Sequence, residues 1–165
     1  VLLFGAVNYI GLSLKSYLYI MALITATNTH GDYGLTLTDA TGNTMMIDIP
    51  VADGGTAKGM RPMQTLLAAL IGCSSVDLVS ILKKQRQEIT SFKMEVDGNR
   101  EAGKEPSLWE TVHLKFILEG TIDAGKAYRA AELSINKYCS VAETLRRAGA
   151  AILFSVIVNG EQYKP

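Results

Sequence analysis

Pro62-Met63-Gln64-Thr65-Leu66-Leu67-Ala68-Ala69-Leu70-Ile71-Gly72-Cys73 decides the fold of this chain. Proline suits the first turn of a helix, where its missing N–H costs no hydrogen bond. From Leu66 to Ile71 every side chain is apolar, which predicts a helix buried all round rather than one lying on a surface. The helix is expected to run on to about Arg86. Lys83, Lys84 and Arg86 gather at its end, where cations complement the negative pole of the helix dipole. Cys73 therefore sits in mid-helix, far from the end whose dipole lowers a thiol pKa.

Upstream, Met21 to Ile49 reads as β structure. Ile24 and Ala26 alternate with Thr25 and Thr27, and Leu35 and Leu37 with Thr36 and Thr38, the two-residue period of a strand. Gly31-Asp32 and Thr41-Gly42-Asn43 are turn signals between three strands. Residues 50–61 read as a flexible loop, with Asp53-Gly54-Gly55 and Lys58-Gly59. Its glycines lack the spacing of a phosphate-binding loop.

Downstream, Ser91 to Asp97 and Leu108 to Glu119 are alternating strands, joined through a polar hairpin loop. Val112, Leu114, Phe116 and Leu118 share one face; Thr111, His113 and Lys115 share the other, with Trp109. His113 is expected at solvent or an interface, and Trp109 in a packing role. Asp123 is an expected N-cap for a second helix reaching about Tyr138. A short helix follows Cys139, and Ala151 to Val158 closes the chain as a β-branched strand. The order βββ-α-ββ-α-α-β predicts an α+β domain, without internal repeats or low-complexity tracts.

The chain has 165 residues, 48% of them hydrophobic, with 16 basic and 16 acidic side chains. One domain is expected, spanning 21–165 and preceded by an apolar leader or extra segment, 1–20. Zero net charge does not suggest a basic face for nucleic acid and gives little protection against self-association. Lys15, Asn8 and the serines interrupt the leader short of a membrane span. Two cysteines without CxxC or clustered His predict neither a secreted disulfide framework nor a structural metal site. The chain is read as cytoplasmic, with no metal and no cofactor.

These segments together resemble the OsmC/Ohr family, the osmotically inducible and organic-hydroperoxide-resistance proteins. Pro62 to Asp77, with Leu-Leu-Ala-Ala-Leu-Ile-Gly-Cys inside it, is similar to the family's central helix. Val79-Ser80-Ile81-Leu82-Lys83-Lys84 resembles the helix end of the OsmC-like branch. Phe92 to Gly98 and Val112 to Gly120 are similar to its middle strands, and Glu132-Leu133-Ser134 through Lys137-Tyr138-Cys139-Ser140-Val141 to its second cysteine segment. The resemblance implies an antiparallel sheet wrapped around a long buried central helix, in an intertwined homodimer. It implies that Cys73 attacks the terminal oxygen of an organic hydroperoxide and that Cys139 resolves the sulfenic acid as a disulfide. A lipoyl-type dithiol then reduces the pair.

One departure bears on activation. Peroxidases of the family carry a Glu just after the helix-opening Pro and an Arg on the N-terminal hairpin. Here Met63 and Gln64 follow Pro62, and no Arg precedes Arg61. Arg61 is the substitute candidate for the cation, Gln64 for a hydrogen bond to substrate oxygen, and Met63 for the apolar wall of a substrate pocket. Arg61 and Gln64 also have ordinary readings, as a solvated loop arginine and a first-turn polar residue. Free cysteines likewise serve as small buried hydrophobes. Three functions stay open on one scaffold: a thiol peroxidase, a small-molecule binding protein and a thiol–disulfide sensor with little turnover.

Overall fold

The computed structural model describes residues 23–165; the leader 1–20 and Met21 lie outside the described residues. The chain divides into two compact units, with the boundary in sequence between Pro62 and Met63.

In the first unit, β1 (Ile24–His30), β2 (Gly34–Asp39) and β3 (Thr44–Ile47) make the expected antiparallel meander. The Asp39 carboxylate accepts the Thr41 and Asn43 N–H groups at 2.8 and 3.0 Å and so closes the second turn. The loop that follows is tied down rather than slack. Asp48, 1% exposed, accepts the Thr56 hydroxyl at 2.6 Å and the N–H groups of Ile49, Thr56 and Lys58. The loop's Gly and Ala offer little side chain to pack, and the buried Asp48 carboxylate ties its backbone together.

The second unit begins on the long helix α1 (Pro62–Lys84). Its buried residues are Leu67, Leu70, Ser74, Leu78 and Leu82, a stripe at three- and four-residue spacing. Burial all round, expected from the apolar run, is not met within one chain: Leu66 is 40% and Val76 65% exposed. A single sheet covers only one stripe of a helix. By length and composition α1 is apolar enough to cross a membrane, a property that core helices share. It ends at Lys84 because Arg86 adopts φ 56 and the chain closes through Arg86 N–H to Lys83 O and Gln87 N–H to Leu82 O, a Schellman pair.

Next come β4 (Glu88–Arg100), β5 (Trp109–Thr121), α2 (Ala124–Leu133), a π turn (Ser134–Tyr138), α3 (Ser140–Arg147), β6 (Ala151–Val158) and β7 (Glu161–Gln162). The sheet order is β4-β5-β6-β7. One pairing departs from an antiparallel sheet: β5 and β6 run parallel, as strands joined through helices do. Asp123 caps α2 as expected, accepting the Lys126 N–H at 2.8 Å.

Val112, Leu114, Phe116 and Leu118 are fully buried and join the α1 stripe in one core. Trp109 belongs to that core as well, 9% exposed, although alternation puts it on the opposite face. The reason is a bulge: Asn99 pairs with Thr111 but Arg100 with Trp109, leaving Glu110 as an extra residue. One inserted residue reverses the side-chain facing. The indole N–H then donates to the Met63 carbonyl at 3.3 Å.

Candidate active site

Cys73 lies midway along α1, just before the fully buried Ser74, whose hydroxyl donates to the Leu70 carbonyl at 2.7 Å. The neighbouring carbonyl of Ser74 accepts the buried Ser134 hydroxyl at 2.9 Å. That bond joins the first residue of the π turn to the helix turn carrying Cys73. The π turn closes when the Cys139 N–H donates to the Ser134 carbonyl at 2.8 Å, the five-residue reach that defines such a turn. Arg146 braces it from α3, donating to the Ile135 carbonyl at 2.9 Å and to Asn136 Oδ1 at 2.8 Å.

This bracing leaves Cys139 in extended backbone, φ −71 and ψ 102, as the N-cap of α3. Its sulfur accepts the Ala142 N–H at 3.4 Å, the task usually given to a Ser, Thr, Asp or Asn oxygen. The start of α3 lies beside α1, with Ser140 Oγ 3.9 Å from Cys73 Sγ. The residue after Cys139 thus stands beside Cys73, although the two cysteines are 66 positions apart in sequence.

Their electrostatics differ. Burial pushes the Cys73 thiol up, but the Val141 N–H, the Cys139 thiol, and the Ser140 hydroxyl and N–H all stabilise its anion. Together they outweigh burial and hold Cys73 below an ordinary thiol. Burial also pushes Cys139 up, and its hydrogen bond to Cys73 and the charge there push it further, to about 11. Cys73 is half-buried and Cys139 buried. Of the two thiols, Cys73 is therefore the one that ionises first. Both sulfurs are free thiols.

Met63 and Gln64 occupy the first turn of α1, with Met63 packed against the core and Gln64 exposed. Gln64 precedes Cys73 by nine residues, about 14 Å along the axis and half a turn round the helix. Arg61 is exposed and directly precedes the helix. The structure therefore brings Cys73 and Cys139 together and leaves Met63 and Gln64 at another level of α1. Ser134, Ser140, Val141 and Arg146 escaped the sequence reading. Ser140-Val141-Ala142-Glu143 has the spacing of a capping box, which signals a helix start beside the second cysteine, although the structure sets the N-cap one residue earlier, at Cys139. Among the described residues no three His, Cys, Asp or Glu side chains group as metal ligands.

The model of a family described as OsmC-like protein matches residues 55–152, a span holding both cysteines and everything that braces them. The chain belongs to the OsmC-like family. It is 38% identical over 111 residues to Protein YhfA of Escherichia coli K12, covering 66% of this chain and 78% of that protein. A crystal structure of a protein from Aquifex aeolicus VF5 superposes with a TM-score of 0.69 at 26% identity, over 84% of this chain and 98% of that one. An organic hydroperoxide resistance protein OsmC from Legionella pneumophila shares the fold, with a TM-score of 0.64 at 17% identity, over 84% and 97% of the two chains. The OsmC-like α+β fold expected from the cysteine segments is the fold observed.

Proposed function

We propose that this OsmC-like protein reduces organic hydroperoxides through Cys73 and Cys139. The observation that carries the reading is the division of labour between two thiols brought near each other by the start of α3: one half-buried and held below an ordinary thiol, the other buried and held above. The name of the Legionella relative, an organic hydroperoxide resistance protein, supplies the substrate class.

The Cys73 thiolate attacks the terminal oxygen of ROOH. A sulfur–oxygen bond forms, the O–O bond breaks, and the alkoxide leaves to take a proton and become the alcohol. The product on the enzyme is the Cys73 sulfenic acid. Oxidation also removes the negative charge that pushes Cys139 up, so the second thiol ionises more readily once it is needed. The Cys139 sulfur then attacks Cys73, an S–S bond forms, and the departing hydroxide takes a proton to become water. Two electrons have passed to the peroxide. A dithiol of the lipoyl type returns them by thiol–disulfide exchange, ending as its own cyclic disulfide.

The chain works as a homodimer in this reading. The exposed Leu66 and Val76 side of α1 is apolar surface that a second subunit covers. Arg61, Met63 and Gln64 contribute to substrate binding at a Cys73 of the partner, because Gln64 stands too far along its own helix. The dithiol chemistry suits the reducing cytoplasm.

The test is a stoichiometric oxidation. Reduced protein treated with one equivalent of cumene hydroperoxide is expected to lose both thiols and to yield one Cys73–Cys139 cross-linked peptide by mass spectrometry. Cys139→Ser is expected to be oxidised once, at Cys73, and then stall. Retention of both thiols under these conditions would overturn the proposal.

A further inference from the structure

Resting on the peroxidatic reading of Cys73, we infer that Ser140 is a catalytic residue, whose hydroxyl and N–H, with the Val141 N–H, hold the Cys73 thiolate in place of a charged pair. The geometry starts from what surrounds the sulfur. Cys73 is remote from both ends of its own helix, so α1 offers it no dipole end. The first turn of α1 holds no acidic side chain, so an Arg–carboxylate pair built on that turn is missing. Another helix end supplies what is lacking. α3 starts at Ser140, and Ser140 Oγ stands 3.9 Å from Cys73 Sγ.

The first N–H groups of a helix have no partner within it. In α3 the Cys139 sulfur takes the Ala142 N–H, which leaves the Ser140 and Val141 N–H groups at the helix end whose Ser140 hydroxyl stands beside Cys73, and both N–H groups act to lower that thiol. The dipole of α3 adds in the same sense. The aim is fixed rather than fortuitous: Ser134 pins the π turn to the Ser74 carbonyl, and Arg146 ties the turn to the last part of α3. A π turn at this point in the chain agrees with the tendency of such turns to occur at functional sites. Dipoles pre-arranged in this way stabilise charge without reorganising during reaction.

The role is separable by substitution, because Cys139 already has the extended backbone that a residue before proline adopts, and Ser140 is the first helical position, where proline is welcome. Ser140→Ala removes the hydroxyl alone. Ser140→Pro removes hydroxyl and N–H together. Ser140→Thr restores the hydroxyl. The readout is the pH profile of Cys73 alkylation by iodoacetamide on fully reduced protein, followed on the Cys73 peptide by mass spectrometry, with far-UV circular dichroism for folding.

The wild-type midpoint is expected below that of an ordinary thiol. Ser140→Ala should raise it, Ser140→Pro should raise it further, to an at least about tenfold smaller thiolate fraction at pH 7, one pKa unit, and Ser140→Thr should return it toward wild type. A folded Ser140→Ala protein with the wild-type midpoint overturns the inference, whether or not Ser140→Pro folds. No peroxide enters the measurement. Shifted midpoints in a protein that consumes no hydroperoxide would sink the peroxidase reading and leave this one standing; hydroperoxide turnover with unshifted midpoints would do the reverse.

Discussion

Cys139 spends its sulfur on capping α3, and disulfide formation with Cys73 must take it from that task. Residues that fix this arrangement can be tested without oxidant. Ser134→Ala deletes the buried bond to the Ser74 carbonyl and is expected to lower stability by about 1 kcal/mol, read as a fall in the urea midpoint at unchanged slope. An unchanged midpoint would mean that the bond does not fasten the π turn. Asp48 offers a pH test. The Thr56 hydroxyl, followed by the N–H groups of Ile49, Lys58 and Thr56, holds its carboxyl down to about 2, against the opposing effect of burial. A depressed carboxylate contributes stability that is complete above its unfolded pKa of about 4 and is lost as pH falls through the folded value. Asp48→Asn should therefore flatten the acid limb of the stability curve between about pH 4 and pH 2; equal acid sensitivity in both proteins would contradict the assignment. The two cysteines could be picked out from sequence because they fall in recognisable segments. Ser140 and Ser134 could not, because serine is common and only the tertiary fold turns these two toward α1.

Among the elements, the strands and helices with a clear period were legible, and the irregularities were not. Alternation correctly groups Val112, Leu114, Phe116 and Leu118, yet it misplaces Trp109, since the extra residue at Glu110 leaves no mark in composition. A second bulge, between Ile89 and Ser91, depends on Gly120. This residue adopts φ 139, and a Cβ there would lie 2.1 Å from the Glu88 carbonyl oxygen. Gly120→Ala should therefore destabilise the β4–β5 pair by more than about 1 kcal/mol, measured by urea unfolding; a neutral result would show that the edge of the bulge relaxes freely. The helix reading met a similar limit. The apolar run predicted α1 and its proline start, and the sequence also placed a helix end near Arg86. Which side of α1 would be covered was not legible, because six consecutive apolar residues carry no stripe. The π turn was hidden for another reason: its residues Ser134 to Tyr138 read as more of the preceding helix, and only the five-residue closure onto Ser134 distinguishes it.

At the scale of the molecule, the OsmC-like α+β fold was readable from the order of elements and the two cysteine segments, and the family model matches across both. Assembly is the larger consequence. The uncovered Leu66 and Val76 side of α1 leads us to expect a homodimer, seen in solution as twice the chain mass of 17.8 kDa by light scattering. Val76→Glu should shift that equilibrium toward monomer. A monomer at all concentrations would remove the partner that the proposed roles of Arg61, Met63 and Gln64 require. The central claim concerns turnover, and the most direct measurement is steady-state consumption of cumene hydroperoxide with dihydrolipoamide as reductant, comparing wild type with Cys73→Ser. The account predicts catalytic consumption by wild type and none above background in Cys73→Ser. Equal consumption by the two proteins, or none by wild type while a known thiol peroxidase is active in the same assay, would contradict it.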